Sequence, residues 1–486
     1  MTDGLRRKLT LAATVLGSSL AFLDASVVIV ALPTIERDLD LGLSGQQWVL
    51  LSYSLALAAL YLVAGAIGDR AGRRAVFVAG TVGFAAASML AGLAPSAGVL
   101  ILARVLQGVG GALVTTNSLA LLREVYGREA GKAVGLWTAF TGVATIAGPP
   151  AGGALVEWAS WRWIFFINVP LAAAAIALAL AGRSAQREEH RIGALDVPGA
   201  VLAATGFGAL TYGMVEGAES GFGSLWWAFL LAAASLIAFA VVERRSSEPM
   251  LPFELFRRRN FAASNLETFL VYGALGGNFL FLALFLQFLG FTPFEAGLLN
   301  IPTSLIMIAL AARFGSLADR HGPRFYLSVG PILIGTGTLL LLGLDERSDF
   351  WTFGLAGLVL FAVGLAMLVA PITATALSSA PGRYAGIASG VNQTVSRLGN
   401  LLAVAAIGLV ITLAFHAAGG TEEAVALARG QHDPELRAAS IHAFRTGMVV
   451  TSLLAFAGAL VAALGISNAE AERVKRSEAE LEPAAA

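Results

Sequence analysis

Two acids, Asp24 and Glu267, stand deep inside long apolar runs of this sequence, and Arg104 lies in a third such run. Charge at membrane depth is costly, which makes these residues functional candidates by default. Asp24 is about nine residues, or about 13 Å, from the outer end of its run, and Arg104 about six residues, or about 9 Å, from its own. Those depths allow the two groups to pair or share a polar network. Desolvation and a neighbouring cation act on a carboxyl in opposite directions. That competition suits a group that loads a proton on one side and releases it on the other, making Asp24 the coupling candidate and Arg104 its modulator. The alternative is a fixed ion pair that locks two helices together. Glu267 lies about six residues into its run, close to Asn265 and Thr268, with Asn278 further along. It either takes part in proton coupling or reaches back to the interface.

A second kind of chemistry belongs to two charged corners. The stretch from Gly65 to Arg74, GAIGDRAGRR, returns as GSLADRHGPR from Gly315 to Arg324. Gly72 and Gly322 permit a tight corner, and Asp69 and Asp319 can accept hydrogen bonds from a helix N-terminus. Arg70, Arg73 and Arg320 add the positive charge of an inner membrane face. The copies differ where Pro323 stands in the place of Arg73. A third cluster, Gly148, Pro149, Pro150, Gly152 and Gly153, removes backbone donors and lets a neighbouring helix approach closely. It reads as a pivot or seal, with plain tight packing as the alternative.

The elements that position these residues follow from composition. The chain is 57% hydrophobic and 13% charged, against about 25% charged for a soluble domain. A formal net charge of zero gives no sign of a nucleic-acid partner, and the absence of cysteine excludes thiol chemistry. The histidines, His190, His321, His416, His432 and His442, are scattered over loops and span ends. No Walker loop is present. An enzyme, a cofactor and a metal site are therefore not expected.

Taking about 20 apolar residues per crossing, the sequence reads as an all-α integral membrane protein of fourteen spans. They run over 11–32, 48–68, 75–94, 98–122, 133–156, 163–182, 195–216, 223–243, 261–289, 294–314, 325–344, 351–377, 386–415 and 443–467. With the N-terminus inside, Lys and Arg crowd the inner segments, and the outer ones hold only Arg37, Arg162, Arg347, Arg429 and Arg437. Both charged corners then fall on the inner face, each between the second and third span of its own half. The plan is an N-terminal six-helix half (1–182), two inserted helices with linkers (183–260), a C-terminal half (261–467) and a tail (468–486). Halves related as repeats, with the ligand site between them, are a common transporter design.

These motifs together resemble the major facilitator superfamily, and within it the fourteen-helix drug:proton antiporter branch. Gly65 to Arg74 is similar to the family's Gly-x-Leu-Ala-Asp-Arg-x-Gly-Arg-Lys turn, departing at Ile67, Gly68 and Arg74. Leu23 to Pro33 resembles the branch's span-1 motif, Arg104 with Gln107 to Gly111 its span-4 motif, and Gly148 to Gly153 its antiport motif. The resemblance implies a major-facilitator-type fold, an inner gate latch at the first turn, and proton-coupled export of amphipathic or cationic drugs by alternating access. A proton-coupled transporter of one metabolite, lipid precursor or peptide, and a transporter-like sensor, stay open as alternatives. Expected partners are small molecules, protons and the lipid bilayer, with a monomer in the cell membrane and both termini cytoplasmic. Candidates for the substrate cavity are Trp137, Phe140, Tyr272, Asn278, Gln287 and Asn392.

Overall fold

A computed structural model describes residues 3–126, 130–182, 197–220, 223–245, 253–343, 350–379, 385–420, 427 and 433–473. Among them the chain forms α-helices and short 3-10 turns, and no strand. Helices satisfy every interior backbone group within one segment, which a hydrocarbon environment requires. In order they are α1 (Asp3–Leu39), α2 (Gly42–Ala71), α3 (Arg73–Gly92), α4 (Ala97–Tyr126), α5 (Ala130–Trp158), α6 (Trp163–Phe166), α7 (Asn168–Ala181), α8 (Val197–Ser220) and α9 (Trp226–Arg245). The rest are α10 (Arg259–Phe288), α11 (Pro293–Leu298), α12 (Ile301–His321), α13 (Arg324–Leu340), α14 (Phe350–Ser378), α15 (Ala385–Ala417) and α16 (Pro434–Gly465).

Among the described residues, 12 helical stretches are long and apolar enough to cross a membrane. Two further helices, α2 with 30 residues and α5 with 29, run over the intervals expected for spans 2 and 5. Large apolar side chains stay on the outside, among them Leu230 and Ile237 of α9 and Leu453 and Leu460 of α16. Such a surface suits lipid rather than water.

The helices gather into two compact units. One holds α1 to α9 with the end of α10 from Ala283 and α11; the other holds the start of α10 and α12 to α16. The segment 283–299, assigned by sequence to the second half, thus packs with the first unit. Leu20, Ala21, Tyr53, Leu57, Phe84 and Ala172 form a core cluster of the first. In the second, Val271, Ala274, Leu327, Ile334, Phe361, Leu368 and Ala455 lie together.

Three expected boundaries change. Span 10 is interrupted between α11 and α12 at Leu299–Asn300, where Pro302 sits in the first turn of α12 and supplies no backbone donor. Span 6 is likewise two pieces, α6 and α7, with Ile167 between them. The last helix begins at Pro434, well before the expected 443. Asp433 caps it, accepting from Glu435 N at 2.9 Å and Leu436 N at 3.4 Å. Of the long segment expected between spans 13 and 14, residues 421–426 and 428–432 lie outside the described residues.

Candidate functional site

Asp24 and Arg104 meet in the interior of the first unit, exposed by 1% and 0% respectively. Arg104 Nη1 donates to Asp24 Oδ2 and, at 2.9 Å, to Gln107 Oε1. The other carboxylate oxygen, Oδ1, accepts from Gln107 Nε2 at 3.0 Å and from Asn168 Nδ2 at 3.0 Å. Those two amides also share Ser88 Oγ, at 3.0 and 2.9 Å, while Ser88 itself donates to the carbonyl of Phe165 at 2.9 Å. Arg104 Nε bonds the carbonyl of Val49 at 3.0 Å, and the guanidinium lies 4.4 Å from the Tyr53 ring centroid. The ring is held by its hydroxyl on the carbonyl of Ala21. One ion pair therefore ties together α1, α2, α3, α4 and α7.

This density answers an energetic requirement. A buried charge pair persists only when its remaining donors and lone pairs are also satisfied. Here the carboxylate is nearly saturated, and what is left over is small: Arg104 Nη2 and Asn168 Oδ1 have no hydrogen-bond partner among the described residues. Depth arithmetic brings Asp24 and Arg104 together, but it overlooks Ser88 and Asn168. Both are neutral polar residues inside apolar runs, and a search restricted to charge passes over them.

The second unit holds a neutral polar pair at the position that corresponds to Ser88. Asn278 of α10 donates to Thr338 Oγ1 of α13 at 2.9 Å, and both are buried. Thr338 follows Ser88 by the same offset that separates the turns (338 minus 88, and 315 minus 65, each 250). The same offset brings Asp24 to Ala274 (24 plus 250), so neither Asn278 nor Glu267 stands at its position.

Glu267 is fully buried, and neither carboxyl oxygen has a hydrogen-bond partner among the described residues. It faces Gly458 of α16, where an added Cβ would lie 3.9 Å from Glu267 Cγ. Its expected polar neighbours turn elsewhere. Asn392 of α15 donates to Asn265 Oδ1 at 3.3 Å and to Thr268 Oγ1 at 3.1 Å. The polar set read from sequence is thus split between two helix faces.

Both turns are made by glycines with positive φ, 92° at Gly72 and 89° at Gly322. The arginine two residues beyond each glycine does the same work in both units. Arg74 Nη1 donates to the carbonyl of Ala179 on α7, and Arg324 Nη2 to that of Ala463 on α16. The copies diverge one residue earlier. Arg73 reaches the carbonyl of Ala120 at 3.3 Å and Glu124 at 3.6 Å, both on α4. Its counterpart Pro323 has no donor, and Asn468 instead closes that corner by accepting from Arg324 N at 3.1 Å. Gly65 lies against Thr116 of α4, and Arg70 ends α2. Asp319 and Arg320 are exposed at the end of α12, and the side chain of Asp69 is outside the described set.

The glycine-proline cluster of α5 contacts helices on two sides. Gly148 lies on Ser26 of α1, and Gly152 on Val27 and Val30, so close that a Cβ would come within 3.0 Å of Val27. Gly153 faces the Pro293–Phe294 backbone of α11, and Gly297 of α11 faces the backbone of Pro149 and Pro150 in return. Trp158 and Phe294 pack nearby, their rings tilted by 45° with centroids 5.0 Å apart.

The cavity candidates are dispersed. Trp137 is buried edge-on to Phe22, while Phe140 is exposed. Tyr272 packs on the apolar core of the second unit. Gln287 is fully buried and donates to the carbonyl of Val30 at 3.0 Å. Like Asn278 and Asn392, it commits its amide to the protein.

The Major Facilitator Superfamily model matches residues 14–404. The chain is 36% identical, over 83% of its length and 75% of the relative's, to the Multidrug resistance protein Stp of Mycobacterium tuberculosis. It is 35% identical, again over 83% and 75%, to the Tetracenomycin C resistance and export protein of Streptomyces glaucescens. Its fold is similar to that of a bacterial homologue of the human lysosomal transporter Spinster, with TM-score 0.67 at 18% identity over 95% of this chain and 97% of that one.

Proposed function

The chain belongs to the Major Facilitator Superfamily, and on that premise we propose that it exports amphipathic or cationic drugs in exchange for protons, by alternating access. The relatives named for multidrug resistance and for tetracenomycin C export support the direction and the substrate class. The observation that supports the coupling is the set of buried ionisable groups at membrane depth, the Asp24–Arg104 pair with its amide and hydroxyl partners and Glu267. An apolar contact would hold α1 and α4 together at lower energetic cost. Asp24, Arg104 and Glu267 are the ionisable groups at membrane depth from which the coupling reaction is built.

The fourteen-span reading rests on the 12 apolar stretches together with α2 and α5. In this reading two six-helix halves flank α8 and α9, both termini are cytoplasmic, and the protein works as a monomer in the cell membrane. The first turn acts as the inner latch, because Arg73 and Arg74 bind it to α4 and α7. The second turn, with Asp319 and Arg320, is held to the last helix instead. The α5–α11 contact at Gly148, Pro149, Gly152 and Gly153 forms the opposite gate. Trp137 and Phe140 of the first unit and Tyr272 of the second are the candidates for contact with the substrate.

The test uses membrane vesicles with an imposed pH gradient. A cationic dye is expected to accumulate against its own gradient, and a neutral metabolite is not. Accumulation of one metabolite and no dye sinks the drug reading.

A further inference from the structure

We infer that Glu267 is the group that carries the exchanged proton, seated between α10 and α16 as a neutral acid, while Asp24 serves as a fixed anion of the first unit. The inference rests on the proton-coupled reading above and assigns its chemistry to one residue.

The two buried acids differ in what surrounds them. Asp24 has donors on both oxygens, from Arg104, Gln107 and Asn168. Taking up or losing a proton there disturbs helices α1, α3, α4 and α7 together. Glu267 has no donor among the described residues. Its side chain lies against Gly458 of α16, and Ala263 and Val271, one turn before and after it on α10, belong with Ala455 and Ala462 of α16 to one apolar core cluster. An ionised carboxylate in such a place bears its desolvation without compensation, whereas a protonated one does not.

Two arginines on the packed elements bond backbone carbonyls of α16. Arg259 of α10 bonds the carbonyls of Leu464 and Gly465, and Arg324 of α13 that of Ala463. Those carbonyls lie about one and a half to two turns along α16 from Gly458. Described α14 carries no charged residue. On α15, Arg397 stands near Tyr272.

Glycine at 458 allows this close seat, since a Cβ there would collide with Val271 Cγ2. The proton step is a simple dissociation. When α10 and α16 part and water reaches the site, the carboxyl O–H bond breaks, leaving a carboxylate and passing the proton to water. The two helices close again only after the carboxylate takes up a proton. Proton release is thereby tied to a movement of α10 against α16.

The experiment compares wild type with Glu267→Gln in proteoliposomes, by dye accumulation under a pH gradient and by dye–dye exchange without one. For one exchanged proton, a gradient of about one pH unit supports a dye ratio of about tenfold. Glu267→Gln is expected to bring that ratio to about one while exchange persists within about twofold. Full accumulation by Glu267→Gln overturns the inference and leaves proton-coupled export standing. A wild type that exchanges dye but ignores the gradient removes the coupled reading itself. Infrared spectroscopy of the wild type gives a measurement independent of the variant's folding. A protonated-carboxyl band is expected at neutral pH, and its absence contradicts the proposal.

Discussion

Replacing Asp24 by asparagine should destabilise the protein, and replacing Arg104 as well should add no further loss. The native carboxylate accepts from Arg104, Gln107 and Asn168 on its two oxygens. An amide offers one acceptor oxygen to the same converging donors and adds an N–H among them. The Arg104 guanidinium, 0% exposed, is then left as an uncompensated charge. Breaking one side of a buried pair costs about 3–5 kcal/mol, whereas replacing both partners by neutral groups of similar volume is often close to neutral. Asp24→Asn and Arg104→Met should each cost about 4 kcal/mol, and the double variant no more than either single one. The coupling energy is then on the order of 4 kcal/mol, against none if the two losses add. Equilibrium unfolding of the purified protein in detergent measures all four corners of the cycle. A double variant that has lost about 8 kcal/mol, the sum of the singles, refutes the reasoning.

Other consequences concern backbone contacts and the Asn278–Thr338 pair. Gly153→Ala and Gly297→Ala each drive a methyl into facing backbone and should cost about 1–3 kcal/mol and depress dye export. Gly142→Ala on the same α5 meets nothing within 4 Å and should leave export unchanged in the same assay. Gly72→Ala and Gly322→Ala place a side chain at positive φ, each at about 1–3 kcal/mol. Removing Asn468 should relieve part of the penalty at Gly322 only, as thermal unfolding of the double variant would record. Asn278→Ala should lose about 1–2 kcal/mol for the abandoned Thr338 hydroxyl yet retain dye exchange, because no charge is exposed. Loss of exchange there would mean that the second unit's polar pair does more than hold α10 to α13.

Much of the architecture is legible in the sequence because lipid imposes a simple rule: long apolar runs become helices, and charges collect at their ends. The meeting of Asp24 and Arg104 follows from the same rule, since depth along a helix is a matter of counting. Ser88 and Asn168 were not found that way. Their role depends on which helices become neighbours, and neutral side chains leave no mark on a charge count. The start of α16 was available in principle. Asp433, Pro434 and Glu435 form a helix-start signal, but hydropathy alone placed the boundary later, because the first turns are polar. The break at Leu299–Asn300 needed a similar local reading around Pro302. The isolation of Glu267 could not be read at all. Residues 265, 267 and 268 are neighbours in sequence, yet α15 takes two of them and α16 the third.

The central claim is that drug leaves in exchange for a proton. Inside-acid vesicles containing the protein and a trapped pH indicator test it most directly when a cationic dye is added outside. The account predicts that the lumen becomes less acid as dye enters, in proportion to the dye taken up, and that protein-free vesicles show neither change. Dye entry through the protein with no accompanying proton movement would contradict it.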